Sequence, residues 1–283
     1  MNNAILLSVR LVLLLALFLA VPACQTKPVW KPQHRPDYKQ RLTRGCIFYM
    51  DGAGGGTDKS NYAAGVVAGM LDAGYTGAGE LVTWETGKGL IADQDASVEY
   101  KRAKAAQAAA SILKYKTKYP NAPVGILGFS AGTAEAVFAL EALPESVQVD
   151  HVVLLGASIS RDYDMTQALK RVKRLTIITS THDRMLKILM PLSGTADRKF
   201  HDPGAGIKGF VLPTGASPAT RRLYAEKIVT IHYTKEFRKD EDKGHHFDNV
   251  KEDFIRDHVA PIFTGHPAPQ PPAQSTSTPT PRA

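Results

Sequence analysis

At 283 residues the chain can hold one sizeable core of about 220 residues plus tails. Its 43% hydrophobic and 22% charged content excludes a disordered or fibrous polypeptide. The net charge of +8 does not read as nucleic-acid binding. Lys27, Lys31, Arg35, Lys39, Arg41 and Arg44 crowd one N-terminal stretch against a single acid, Asp37, and no basic face interleaved with aromatics is visible.

In chain order, residues 1–23 read as an export signal. Arg10 precedes an apolar run, residues 11–21, that is short for a permanent membrane span. Val21-Pro22-Ala23-Cys24 fits a lipoprotein box in which Cys24 is acylated, although Pro22 is an uncommon occupant of its position. The competing reading is plain secretion after cleavage at Ala23. The expected location is therefore the bacterial envelope, lipid-anchored, or else the periplasm or the medium. Residues 24–44, basic and Pro-bearing, read as a flexible spacer, with attraction to an anionic membrane surface as one use for its charge. Cys46 opens an apolar strand and reads as a buried hydrophobe. No Cys/His spacing of a zinc site occurs.

The strand from Cys46 runs into Asp51-Gly52-Ala53-Gly54-Gly55-Gly56. Such a loop can cradle phosphate, but neither the Gly-Lys-Ser/Thr ending nor Gly-x-Gly-x-x-Gly spacing is present. Its other use is to aim backbone N–H groups at a reacting carbonyl, with Ala53 as donor. Residues 61–73 have helical character. Residues 79–84 form the next strand, and residues 85–94 a loop at its end. Trp84 either walls a site there or lies in the core. A long Ala/Lys-rich helix over residues 96–119 stops at Pro120.

Val124 to Leu127 is a short apolar strand, followed by Gly128-Phe129-Ser130-Ala131-Gly132 and a small-residue helix. Strand, sharp turn, helix, with a serine at the apex, is the pattern of a nucleophile elbow. Glycines two residues either side are needed because side chains there would collide with neighbouring backbone. The bland alternative is a Gly-rich turn with an N-capping serine. Further strands are expected at 151–156, 175–180 and 227–233, and helices at 162–172, 185–190 and 250–259. Residues 191–226 show little periodicity and read as a cap or substrate-side loop. Residues 265–283, rich in Pro, Ser and Thr, read as a disordered tail.

Strands alternating with helices predict an α/β fold with a mainly parallel, doubly wound sheet over residues 45–264. In such a sheet an acid and a base that follow later strands can reach the serine. Ser130, Asp183 and His246 occur in the order Ser, acid, His. Asp183 could instead be a helix N-cap, and Asp197 is the rival acid. His245 remains the alternative base to His246. Ala53 and Ala131 would supply the oxyanion-hole N–H groups.

Several stretches together resemble the α/β-hydrolase superfamily over roughly residues 47–262, and within it a group of exported bacterial proteins. They are Asp51-Gly52-Ala53-Gly54-Gly55, Trp84-Glu85-Thr86-Gly87, Gly128-Phe129-Ser130-Ala131-Gly132, Ser160-Arg161-Asp162-Tyr163-Asp164, Gly194-Thr195-Ala196-Asp197 and His246-Phe247, with Phe254 to Pro261 beyond. The resemblance implies the hydrolase fold and serine-hydrolase chemistry, and names no substrate. In that group a Gly-Gly-His-Phe segment carries the histidine; it aligns with His246 and puts His245 at a glycine position. The expected activity is hydrolysis of a small-molecule or lipid ester, with no cofactor, metal or nucleic acid. The alternatives are a non-catalytic envelope binding protein on the same scaffold, and an amidase or peptidase.

Overall fold

The computed structural model describes residues 30–56, 61–240 and 242–265. The expected signal, Cys24 and the tail from residue 266 lie outside the described residues.

Six strands form one sheet: β1 (Cys46–Met50), β2 (Ala78–Val82), β3 (Val124–Phe129), β4 (Val149–Leu155), β5 (Val172–Thr179) and β6 (Ile228–His232). Their order is β2-β1-β3-β4-β5-β6, and every neighbouring pair is parallel, which is the α/β architecture expected from the alternation of strands and helices. β1 and β3 are buried along their whole length, as strands covered on both faces must be. Their side chains alternate between two apolar layers. Phe48, Met50 and Ile126 enter one; Ile47, Tyr49, Leu127 and Phe129 enter the other. The order reverses between β1 and β3, and it is outside the carboxyl ends of the strands at such a switch point that sheets of this kind bind ligands. Met50 pairs with Gly128, which sets the loop after β1 directly beside the turn after β3.

Among the described residues, ten α-helical segments accompany the sheet: α1 (Tyr38–Arg41), α2 (Ala63–Asp72), α3 (Leu90–Asp95), α4 (Val98–Lys118), α5 (Gly132–Ala142), α6 (Thr166–Lys170), α7 (Met190–Ser193), α8 (Pro218–Lys227), α9 (Glu252–Phe254) and α10 (Ala260–Thr264). In α4, Ala105, Ala108, Ala109, Ile112 and Tyr115 form one buried stripe at helical spacing. Ser97 caps this helix by accepting the Tyr100 N–H.

Three elements differ from expectation. Residues 90–94, read as loop, fall within α3. The strand expected from residue 175 begins at Val172, which shortens the preceding helix to α6. Within the stretch read as cap lies α8, whose signals were Ser217 as N-cap, accepting the Thr220 N–H, and Pro218 in the first turn. None of the described helices is long and apolar enough to cross a membrane.

The spacer reading also fails from Trp30 onward. The Trp30 ring lies over Gly79 of the edge strand β2, where an added Cβ would stand 2.7 Å from it. Arg41 donates to the Tyr75 and Gly77 carbonyls at 2.9 and 3.0 Å, and Arg44 to the Thr76 carbonyl at 3.0 Å. Tyr115 donates to the Leu42 carbonyl at 2.6 Å. Hydrogen bonds from Arg41 and Arg35 to Asp37 hold its carboxyl down at about 2. Composition suggested a solvated stalk; an aromatic anchor and guanidinium donors to loop carbonyls instead fix it on the sheet edge.

Candidate active site

β3 ends at Phe129, and Ser130 takes a φ of 50°, in the left-handed region that a side chain rarely adopts. Such a residue costs about 1–3 kcal/mol and persists only where its surroundings hold it. Here the Ser130 N–H donates to the Leu155 carbonyl of β4 at 2.9 Å, and its carbonyl accepts from the Thr133 N–H and hydroxyl. Gly132 is sterically required, and Gly128 is closely enclosed. A Cβ on Gly132 would lie 2.2 Å from the Met50 carbonyl oxygen, and one on Gly128 would lie 3.0 Å from that of Gly132.

His246 Nε2 lies 2.8 Å from Ser130 Oγ, and His246 Nδ1 lies 2.7 Å from Asp183 Oδ2. Asp183 and His246 are buried. With the carboxylate as acceptor, Nδ1 carries the proton and Nε2 is free to accept from the serine. The imidazole packs beside Phe129 and Phe247, each ring centroid 5.2 Å away. The other Asp183 oxygen, Oδ1, accepts the Leu186 N–H at 2.9 Å and caps the following turn, as the N-cap reading expected. The loop bearing His246 is fixed by Asp248, which accepts from the Lys243 and His245 N–H groups, and by Ser180, which donates to the Gly244 carbonyl.

His245 points elsewhere, with its side chain 60% exposed and Nδ1 3.6 Å from Asp248. Asp197 accepts from the backbone and hydroxyl of Ser160 and does not join the relay. Trp84 is core: it is fully buried, and its indole N–H donates to the Asp51 carbonyl at 2.8 Å.

The glycine loop is held by carboxylates. Asp51 accepts from the Tyr49 hydroxyl and the Gly52, Gly56 and Tyr62 N–H groups. Burial raises its pKa against the pull of those donors. Gly54 donates to Asp93 Oδ2 at 2.8 Å, and Gly55 to the Gly52 carbonyl at 2.9 Å. Of the N–H groups from residue 52 to 56, that of Ala53 has no acceptor among the described residues. It lies next to Gly52, on which a Cβ would stand 3.1 Å from Ser130 Cβ. The other four N–H groups of the loop are thus held by the chain's own acceptors. Sequence reasoning missed Asp93; no motif marked it.

Behind the loop, burial pushes Glu85 up to about 8 and Glu135 up to about 9, and pulls Lys101 down to about 8. Both Glu135 carboxyl oxygens lack a hydrogen-bond partner among the described residues. A raised acid pKa means that the folded state holds a proton the unfolded chain releases, so stability falls as pH rises. Between about pH 5 and 8 the wild-type melting temperature should decline, and Glu135→Gln should flatten that decline by several degrees. Parallel melting curves against pH would show that Glu135 is ionised in the fold.

No protein-family model matches the chain, and no curated protein matches it significantly. Among solved structures it is similar to an acylaminoacyl peptidase of Pyrococcus horikoshii, at 11% identity and TM-score 0.42, over 78% of this chain and 36% of that one. It is also similar to the agmatine ureohydrolase of Thermoplasma volcanium, at 11% identity and TM-score 0.30, over 89% of this chain and 96% of that one. Likeness at this level carries no argument about activity.

Proposed function

We propose that this protein is a serine hydrolase that cleaves carboxylic esters through an acyl-enzyme on Ser130. The observation that supports the reading is the continuous hydrogen-bonded series from Asp183 through His246 to Ser130, at a strained strand-to-helix turn. His246 Nε2 takes the hydroxyl proton as Oγ attacks the ester carbonyl. Asp183 keeps the imidazole in the required tautomer and stabilises its cationic form. The N–H groups of Ala53 and Ala131 receive the oxyanion. His246 then protonates the leaving alkoxide, and water, deprotonated by the same imidazole, releases the acid.

Turnover of short p-nitrophenyl esters tests this reading. Wild-type protein should hydrolyse them, and Ser130→Ala should lower the rate by about 10⁴-fold or more. Equal rates in the two proteins would contradict the proposal. Absence of turnover by folded wild-type protein, across chain lengths, would favour a binding scaffold; faster cleavage of anilides would favour an amidase. Export, and acylation at Cys24, remain proposals from the sequence. Growth with labelled palmitate tests the second, and unlabelled protein would rule it out.

A further inference from the structure

We propose that Asp93 is a positioning residue for the oxyanion loop, acting through the N–H of Gly54. The proposal rests on the reading of Ser130 as nucleophile. Peptide units are planar, so fixing a carbonyl fixes the N–H on its other side. The Gly55 N–H holds the Gly52 carbonyl, which turns the Ala53 N–H the opposite way. That arrangement survives only if the next peptide is also held. Gly54 sits at a φ of 76°, a conformation open to glycine and easily lost, and its N–H is bound by Asp93 Oδ2.

Asp93 can act as an anchor because it is itself fixed. It is fully buried, and its Oδ1 accepts from the N–H and hydroxyl of Thr86 at 2.7 and 2.6 Å. Its helix, α3, is tied down at the far end. The buried Lys101 ammonium donates to the carbonyls of Gln94 and Ala196, and the Gln94 amide donates to the Gly194 carbonyl. Asp93 thus links a rigid part of the fold to a loop whose own residues offer little stiffness.

Asp93→Asn tests the proposal. An amide has one acceptor oxygen, and the two Thr86 donors outweigh the single Gly54 N–H, so the variant keeps Thr86 and turns its NH2 group towards Gly54. The expected result is a fall in kcat for a p-nitrophenyl ester of about 10- to 100-fold, with KM within about two-fold, since the oxyanion contact forms in the transition state. Affinity for phenylboronic acid, whose tetrahedral adduct occupies the same hole, should fall by a similar factor. Asp95→Asn, which alters an exposed carboxylate two residues on in the same helix, paired with Arg198 and not with the loop, should leave kcat within about two-fold. An unchanged kcat in Asp93→Asn, or an equal loss in Asp95→Asn, overturns the proposal. If Asp93→Asn does not fold, Asp93→Glu, which keeps the charge and displaces the acceptor, carries the same test. Wild-type protein without esterase activity would instead defeat the underlying reading.

Discussion

Replacing His246 with alanine should lower kcat for an ester by about 10⁴-fold or more, while replacing His245 should change it by less than about two-fold. The two residues are adjacent, yet their surroundings differ. His246 is buried between Phe129 and Phe247, with one ring nitrogen on Ser130 and the other on Asp183. The His245 side chain is solvent-facing, with a long contact from Nδ1 to Asp248. Steady-state kinetics of the two variants, with melting curves to show that both fold, decide the matter. A large loss in His245→Ala with activity retained in His246→Ala would reverse the assignment.

Gly132→Ala should be the most damaging single methyl addition at the elbow. The new Cβ would lie 2.2 Å from the Met50 carbonyl oxygen and 2.4 Å from that of Asp51. Both are backbone atoms at the end of β1, so relief requires the strand end and the glycine loop to move. A loss of about 3 kcal/mol is expected, which lowers the melting temperature by roughly 6–12 °C in a domain of this size. Gly74→Ala is the control. Gly74 has a positive φ, 78°, but nothing lies within 4 Å of an added Cβ. Only backbone strain of about 1–2 kcal/mol should be felt there. Equal losses in the two variants would mean that close approach at Gly132 is not what matters.

The sheet was legible because its strands are short apolar runs separated by helical segments, and the elbow because its glycines answer a local steric need. Ser130, Asp183 and His246 could be named from their places after the third, fifth and sixth strands. The choice between His245 and His246 could not be made from the residues alone, since neighbours on an irregular loop have no periodicity to tell inward from outward. Asp93 was hidden for another reason: its partner, Gly54, is 39 residues away and carries no side chain to mark the contact. The N-terminal arm was misjudged because polar composition describes the average of a segment. Trp30, Arg41 and Arg44 fix it through a few specific contacts.

An activated nucleophile at Ser130 should be trapped by a fluorophosphonate. Labelling folded wild-type protein, followed by intact-mass measurement and peptide mapping, tests this most directly. A single adduct on Ser130, absent from Ser130→Ala, is the expected result. An adduct elsewhere with Ser130 unmodified, or equal labelling of the alanine variant, would contradict it.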